Sequence, residues 1–187
     1  MAKQRDLVSM SPSEVSALLA ASRKVQLGTL NPDGSVHLVT MFYGLIDGQI
    51  AFWTYRTSQK ALNLARDPRI TCLVEDGSDY FELRGVQLRG TVRVVSEFND
   101  VLAIGRLVAG GMATGLGGSG TGGSGTGGSG AGGSGVGDSG LGGSGLSESD
   151  AADAVEAYVA QAARKRVGYI VSPDRIVSWD HSKLLTT

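Results

Sequence analysis

The chain has 187 residues, 17 Lys plus Arg against 18 Asp plus Glu, one cysteine, and no apolar run near the roughly 18 residues a membrane helix needs. These figures argue against an internal disulfide, a cysteine-based zinc site, a secretory leader over the polar segment Met1 to Asp6, and the broad basic footprint of a nucleic-acid binder; they predict an intracellular, cytoplasmic chain. The composition is that of one ordinary domain except for glycine, since 18 of the 29 glycines lie between Gly115 and Gly145.

Ser11-Pro12-Ser13-Glu14 predicts a helix start, with Ser11 as N-cap, Pro12 at the first helical position and Glu14 closing a capping box; Val15, Leu18 and Leu19 then form one apolar face. Val25 to Leu30, the tight turn Asn31-Pro32-Asp33-Gly34 and Val36 to Leu45 read as an antiparallel hairpin. Asp47-Gly48 turns the chain into Gln49 to Thr54, which would complete a three-stranded meander. A short helix over Ser58 to Arg66 ends at Asp67-Pro68, because the residue before proline avoids helical geometry. Ile70 to Glu75 is β-rich, and Tyr80 to Val95 reads as a long strand whose Gly85 and Gly90 mark bends. A helix is expected near Asn99 to Ala109.

From Gly117 to Leu146 the sequence repeats in units of five: GGSGT, GGSGT, GGSGA, GGSGV, GDSGL, GGSGL. One small or aliphatic side chain per unit buries too little to offset the entropy of ordering so much glycine, so the repeat is expected to be a disordered insert. It has neither the strand-loop-helix setting nor the lysine of a phosphate-cradling loop. A helix over Ser149 to Arg164 and two strands, Val167 to Val171 and Arg175 to Trp179, around a turn at Ser172-Pro173-Asp174 follow it. About seven strands, mostly adjacent in sequence, and four helices predict a mainly β fold: an antiparallel barrel with peripheral helices, not a doubly wound parallel sheet. Residues 1–114 and 147–187 form the barrel domain, and 115–146 interrupt it.

No nucleophile-base-acid triad is legible. The only histidines, His37 and His181, sit in no zinc or elbow motif, no other metal site suggests itself, and Cys72 reads as a small buried residue in an apolar strand. Reactivity in such a chain is expected to come from a cofactor. The segment Phe52 to Lys60 departs from the rest: it runs from a strand end through a polar turn into a helix N-terminus. There Thr57, Ser58, Arg56 and Lys60 converge with unpaired backbone N–H groups, which suits a phosphate. A cation in a helix's first turn is poorly placed unless an anion compensates, although the same residues also suit a solvated polar loop.

Asp33-Gly34, the block FWTYRTSQKALNLARDPR, the following CLVEDG and the ending Pro173-Asp174-Arg175-Ile176-Val177-Ser178-Trp179-Asp180-His181 resemble the pyridoxamine-phosphate-oxidase-like split β-barrel family, especially its actinobacterial branch that uses the deazaflavin coenzyme F420. The resemblance covers all but the glycine insert. It implies a split β-barrel homodimer with two cofactor sites at the subunit interface and a small-molecule substrate. It places Val39, Thr40 and Met41 along the tricyclic ring, and Tyr55, Arg56, Thr57, Ser58, Gln59 and Lys60 on the phosphate side with Asn63 near them. Trp179 would cover the partner's cofactor. The implied activity is hydride transfer from reduced F420 to a conjugated or planar acceptor, with Tyr43, His37 or solvent as proton source. Non-catalytic binding of a flavin, F420 or tetrapyrrole, or an FMN-dependent oxidase, are the other activities the resemblance admits. True pyridoxamine phosphate oxidases carry an Arg and a Lys for the flavin phosphate where this chain has Val39 and Gly44, a departure that counts against FMN and vitamin B6 oxidation.

Overall fold

Ser11 does cap a helix. In the computed structural model, which describes residues 4–113 and 148–185, its hydroxyl accepts from the Glu14 N–H and the Glu14 carboxylate accepts from the Ser11 N–H. This helix, α2 (Pro12–Ala21), follows a short α1 (Gln4–Val8) that the sequence did not announce. Seven strands make one antiparallel sheet: β1 (Lys24–Leu30), β2 (Val36–Phe42), β3 (Gly44–Ile46), β4 (Gln49–Tyr55), β5 (Arg69–Asp76), β6 (Arg84–Val95) and β7 (Arg166–Asp180), in the spatial order β2-β1-β5-β6-β7-β4-β3. Helices α3 (Gln59–Arg66), α4 (Phe98–Ala113) and α5 (Glu148–Ala163), and a final 3-10 turn over His181–Leu185, complete a mixed α/β architecture with the sheet curled into a half-barrel, a split-barrel fold. The Gly/Ser repeat lies outside the described residues.

The expected meander does not form. β2 and β3 are consecutive in the chain yet occupy opposite edges of the sheet, joined by Tyr43 alone. A sheet whose two edges are one residue apart must curl, and Tyr43 fixes the seam: it is buried, its N–H donates to the Arg23 carbonyl at 3.2 Å and its hydroxyl donates to the Leu19 carbonyl at 2.6 Å. Burial pushes that phenol up to about 12, so Tyr43 is a structural latch and is removed from the proton sources considered above.

The expected turn at Ser172-Pro173-Asp174 is likewise absent; β7 is one continuous strand of 15 residues. Its register against β6 shifts between Gly90, opposite Pro173, and Arg89, opposite Arg175, so Asp174 is a one-residue bulge. The long strand expected from Tyr80 starts at Arg84, because Glu82 N–H bonds back to the Asp79 carbonyl and turns the chain first.

Two cores result. The inner face of the curled sheet buries Val25, Leu27, Ile50, Phe52, Cys72, Val74, Val86, Tyr169 and Val171, closed by Leu18 and Leu19 of α2 and by Ala61 and Leu64 of α3. Burial pushes the Cys72 thiol up to about 12, consistent with an inert core residue. The second core packs α4 and α5 against the outer face of β4 and β7 through Ala51, Trp53, Ile104, Val159 and Ile170. The remaining outer face is uncovered among the described residues. Strand pairing there aligns Leu38, Gly28, Thr71, Arg89 and Arg175 in one row across five strands, with Thr40, Gln26, Leu73, Gln87 and Val177 in the next. Among the described residues no helix is long and apolar enough to cross a membrane.

The chain's two ends are clasped. Lys183 donates to the Glu14 carboxylate at 2.8 Å and to the Ser9 carbonyl at 2.9 Å, while the Met10 N–H donates to Ser178 Oγ at 3.2 Å. Hydrogen bonds from Lys183 and Ser11 lower the Glu14 carboxyl from 4.5 to about 2. A carboxyl depressed in the folded state contributes stability that is complete above its unfolded pKa and is lost as pH falls from about 4.5 toward 2. Glu14→Gln is therefore expected to flatten the acid limb of a melting-temperature-against-pH curve in that window and to leave its shape above pH 6 unchanged; an identical acid limb would refute the clasp.

Candidate functional site

β4 runs out at Tyr55, the chain turns through Arg56 and Thr57, and α3 begins under the Ser58 cap, whose Oγ accepts from the Ala61 N–H at 3.4 Å. Buried Thr54 anchors the turn: its Oγ1 lies 3.1 Å from Ser58 Oγ and accepts from Lys60 Nζ at 3.3 Å. Lys60 is half-buried, and desolvation lowers its pKa from the ordinary lysine value. No acidic residue occupies the first turn of α3, and Lys60 takes part in none of the four ion pairs among the described residues. A half-desolvated ammonium beside a helix N-terminus has its charge uncompensated, and an anion lodged there would relieve both effects.

A second strand end adds cations. Arg56 N–H donates to the Lys165 carbonyl at 3.2 Å, pinning the turn to the start of β7, and the Arg56 charge reaches Tyr169, where it partly offsets the rise that burial gives that phenol. Arg166, in register with Tyr55, holds its guanidinium 4.3 Å from the Trp53 ring centroid and 4.8 Å from that of Tyr55. Its buried Nε has no hydrogen-bond partner among the described residues. Lys165 and Arg166 thus lie at the same end of β4 and β7 as Arg56, but the Arg166 guanidinium stacks on the Trp53 face of β4, while Lys60 bonds Thr54 on the other face. Neither Lys165 nor Arg166 is among the site residues expected from the sequence; the signal for them is the run Arg164-Lys165-Arg166 ahead of the last strand, which the fold divides by sending Arg164 over the Phe98 ring at 5.4 Å.

Asn63 lies beside Gln59 but is turned into the interior. It is fully buried, its Nδ2 donates to Thr29 Oγ1 at 3.1 Å and to Asn31 Oδ1 at 2.9 Å, and its Oδ1 accepts from Gln59 Nε2 at 2.9 Å. Both amide hydrogens are committed, so Asn63 braces the β1–β2 turn against α3 and acts on a ligand only through Gln59 and Asn31. Those two residues, with Pro32 and Asp33, border an open depression of about 390 Å³. Thr57 is exposed in the turn.

Strand alternation divides the expected ring-side trio. Val39 and Met41 pack inward against the barrel core, and Thr40 alone of the three projects from the outer face. Trp179 also belongs to the outer face, with its ring so close over Gly85 that no Cβ would fit there. It sits toward the opposite end of β7 from Arg166, roughly 40 Å away along a strand at about 3.3 Å per residue, so within one copy Trp179 does not join residues 55–60.

The same geometry explains the two departures from the pyridoxamine phosphate oxidase pattern. Val39 points into the core, and a Cβ on Gly44 would lie 2.8 Å from Leu107 Cβ of α4, which leaves no room for a lysine there. His37 lies on the inward row of β2, and His181 Nδ1 lies 2.9 Å from the Tyr80 carbonyl, away from α3. Among the described residues no group of three metal-ligating side chains converges.

The pyridoxamine 5'-phosphate oxidase family profile matches residues 11–106. No protein of curated function matches the sequence. Among solved structures, a conserved hypothetical protein from Mycobacterium tuberculosis is 34% identical with a TM-score of 0.72, over 98% of this chain and 92% of that one. An F420 reductase shares the fold at 17% identity and a TM-score of 0.55, over 89% of this chain and 98% of that one. The heme storage protein HutZ from Vibrio cholerae does so at 10% identity and 0.55, over 91% and 97%. With a profile spanning just over half of the sequence and a solved relative aligned along almost all of it, the chain belongs to the pyridoxamine 5'-phosphate oxidase family of split β-barrels.

Proposed function

We propose that this protein is an F420-dependent reductase that transfers hydride to a small conjugated or planar acceptor in the cytoplasm. The observation that carries the reading is the half-buried Lys60 at the acid-free head of α3 under the Ser58 cap, with Arg56 in the adjoining turn, which suits a cofactor bearing a phosphodiester and further carboxylates. An F420 reductase on the same fold agrees with it. The inward Val39 and the crowded Gly44 count against FMN. Bound reduced F420 would supply the hydride. The chain's own part is to hold the anionic end at residues 56–60, to keep that end in place through the Asn63 brace, and to seat the ring near Thr40 with water excluded. With the Tyr43 hydroxyl committed to Leu19 and His37 on the inward row of β2, opposite the face that carries Thr40, the proton falls to solvent.

Assembly follows from the same placement. Val36, Leu38 and Phe42 leave an apolar rim on the outer face, 63, 68 and 40% exposed, and only a second copy can bring Trp179 near residues 55–60. We therefore expect a C2 homodimer, and light scattering at micromolar concentration should give twice the 19.3 kDa chain mass. A mass of one chain would remove Trp179 from the site.

The deciding experiment titrates the protein with oxidised F420, FMN and haem in parallel, then supplies reduced F420 with a panel of quinones, enones and tetrapyrroles. Tight F420 binding with turnover supports the reductase. Tight binding without oxidation of reduced F420 by any acceptor replaces it with a carrier, and preference for FMN or haem overturns the cofactor assignment.

A further inference from the structure

A groove of about 800 Å³ crosses the uncovered outer face from β2 to β7, a size ordinary for small-molecule sites. One wall is apolar, made by Leu30, Val36 and Leu38. The floor at Gly28 is bare, and packing does not require it to be: a Cβ there would meet Val36 Cγ1 at 3.5 Å, an ordinary contact. The opposite wall carries Arg89 and Arg175, which face each other directly across β6 and β7. Like charges in that position repel. Neither is in an ion pair among the described residues, whereas two other guanidiniums on the sheet are neutralised, Arg69 by Asp67 at 2.6 Å and Arg84 by Asp76 at 2.7 Å. Asp174 also lines the groove and pairs with neither arginine.

The Asp174 bulge creates this arrangement. Before it, Tyr169 and Val171 point into the barrel core; after it, the one-residue shift turns Arg175, Val177 and Trp179 outward. Had the same residues paired regularly past Pro173, Asp174 would oppose Arg89 and Arg175 would sit on the inward row opposite Leu88.

We propose that this groove binds a small carboxylic acid with a flat apolar body, its carboxylate shared between Arg89 and Arg175 and its body lying over Gly28 against Leu38. One carboxylate satisfies both guanidiniums and removes their repulsion. The proposal does not rest on the cofactor reading; its wall at Val36 and Leu38 is part of the rim expected to face a second copy, so the test uses the protein in its solution assembly.

Calorimetric titration of the wild-type protein with trans-cinnamate, and with cinnamyl alcohol as the neutral isostere, tests it. Cinnamate is expected to bind at least tenfold more tightly than the alcohol, Arg89→Gln/Arg175→Gln to lose at least tenfold toward cinnamate alone, and Lys60→Ala to bind cinnamate as wild type does. The double variant should melt at or above the wild-type temperature, since it relieves a like-charge pair; that readout separates lost binding from lost folding. Equal affinity for acid and alcohol, no binding of either, or unchanged cinnamate binding by the double variant overturns the proposal. So does a wild type that binds no cinnamate together with a double variant that falls from dimer to monomer, which would mean that carboxylates of a second copy occupy the arginines.

Discussion

Lys60→Ala is expected to weaken binding of oxidised F420 by roughly 10- to 150-fold, the loss of one charge-assisted hydrogen bond worth about 1.5–3 kcal/mol. The fold should survive, because the side chain's hydrogen bond within the chain goes to Thr54 Oγ1, which keeps Ser58 as a neighbour. Salt should weaken wild-type binding more than it weakens the variant, which has one fewer ionic contact to screen. Alkaline pH should act in the same sense. Burial lowers the Lys60 pKa, so wild-type affinity falls as pH rises at values where an exposed lysine would still be charged, and the variant lacks that limb. Thr57→Ala, which removes one exposed neutral hydroxyl, should do less. If Lys60→Ala and Arg56→Ala both bind F420 as the wild type does, the anion assignment at the head of α3 is wrong.

Gly105→Val should lower the melting temperature by roughly 6–12 °C, on the basis of about 3 kcal/mol for overpacking and a few degrees per kcal/mol at this chain length. Glycine in mid-helix is ordinarily a weakness, and substitution there ordinarily stabilises. Position 105 reverses the sign because α4 crosses β4 and α5 at that point: an added Cβ would lie 2.6 Å from the Trp53 ring and 2.9 Å from Val159 Cγ1. Gly110, on the same helix, has nothing within 4 Å of its added Cβ, so Gly110→Ala should hold or raise stability by up to about 1 kcal/mol. The pair separates helix propensity from packing. Equal melting temperatures for the two variants would mean that α4 does not press on Trp53. Because Trp53 is also one face of the Arg166 stack, Gly105→Val should disturb that stack along with the second core.

What the sequence disclosed followed the range of the physics. The Ser11 cap with Glu14, the stop at Asp67-Pro68, and the turns at Gly34 and Asp47-Gly48, whose φ values of 83, 51 and 76° suit those residues, are settled within a few residues and were legible. The bulge at Asp174 was read as a turn because Ser-Pro-Asp favours one locally, and only pairing with β6 keeps the strand extended. The continuous apolar stretch through Tyr43 hid a change of sheet edge for the same reason. At the site, the residue types of Arg56, Ser58 and Lys60 announced an anion. The burial of Asn63 and the pinning of the Arg56 turn to Lys165 depend on neighbours about thirty or a hundred residues away in sequence, which spacing does not reveal.

β7 lies between β6 and β4, and β4 has no other strand neighbour except the three-residue β3. During synthesis the β3–β4 hairpin therefore waits, half-paired, until residues 166–180 leave the ribosome. At about 5–20 residues per second, the stretch of chain between α4 and α5 lengthens that wait by roughly 2–7 s. Through this interval the Ala51 and Trp53 side of β4 has α4 but lacks α5 and β7, and Phe52 lacks its stacking partner Tyr169, a partial exposure of the kind that nascent-chain chaperones recognise. A shortened repeat should therefore reduce the nascent chain's dependence on such chaperones.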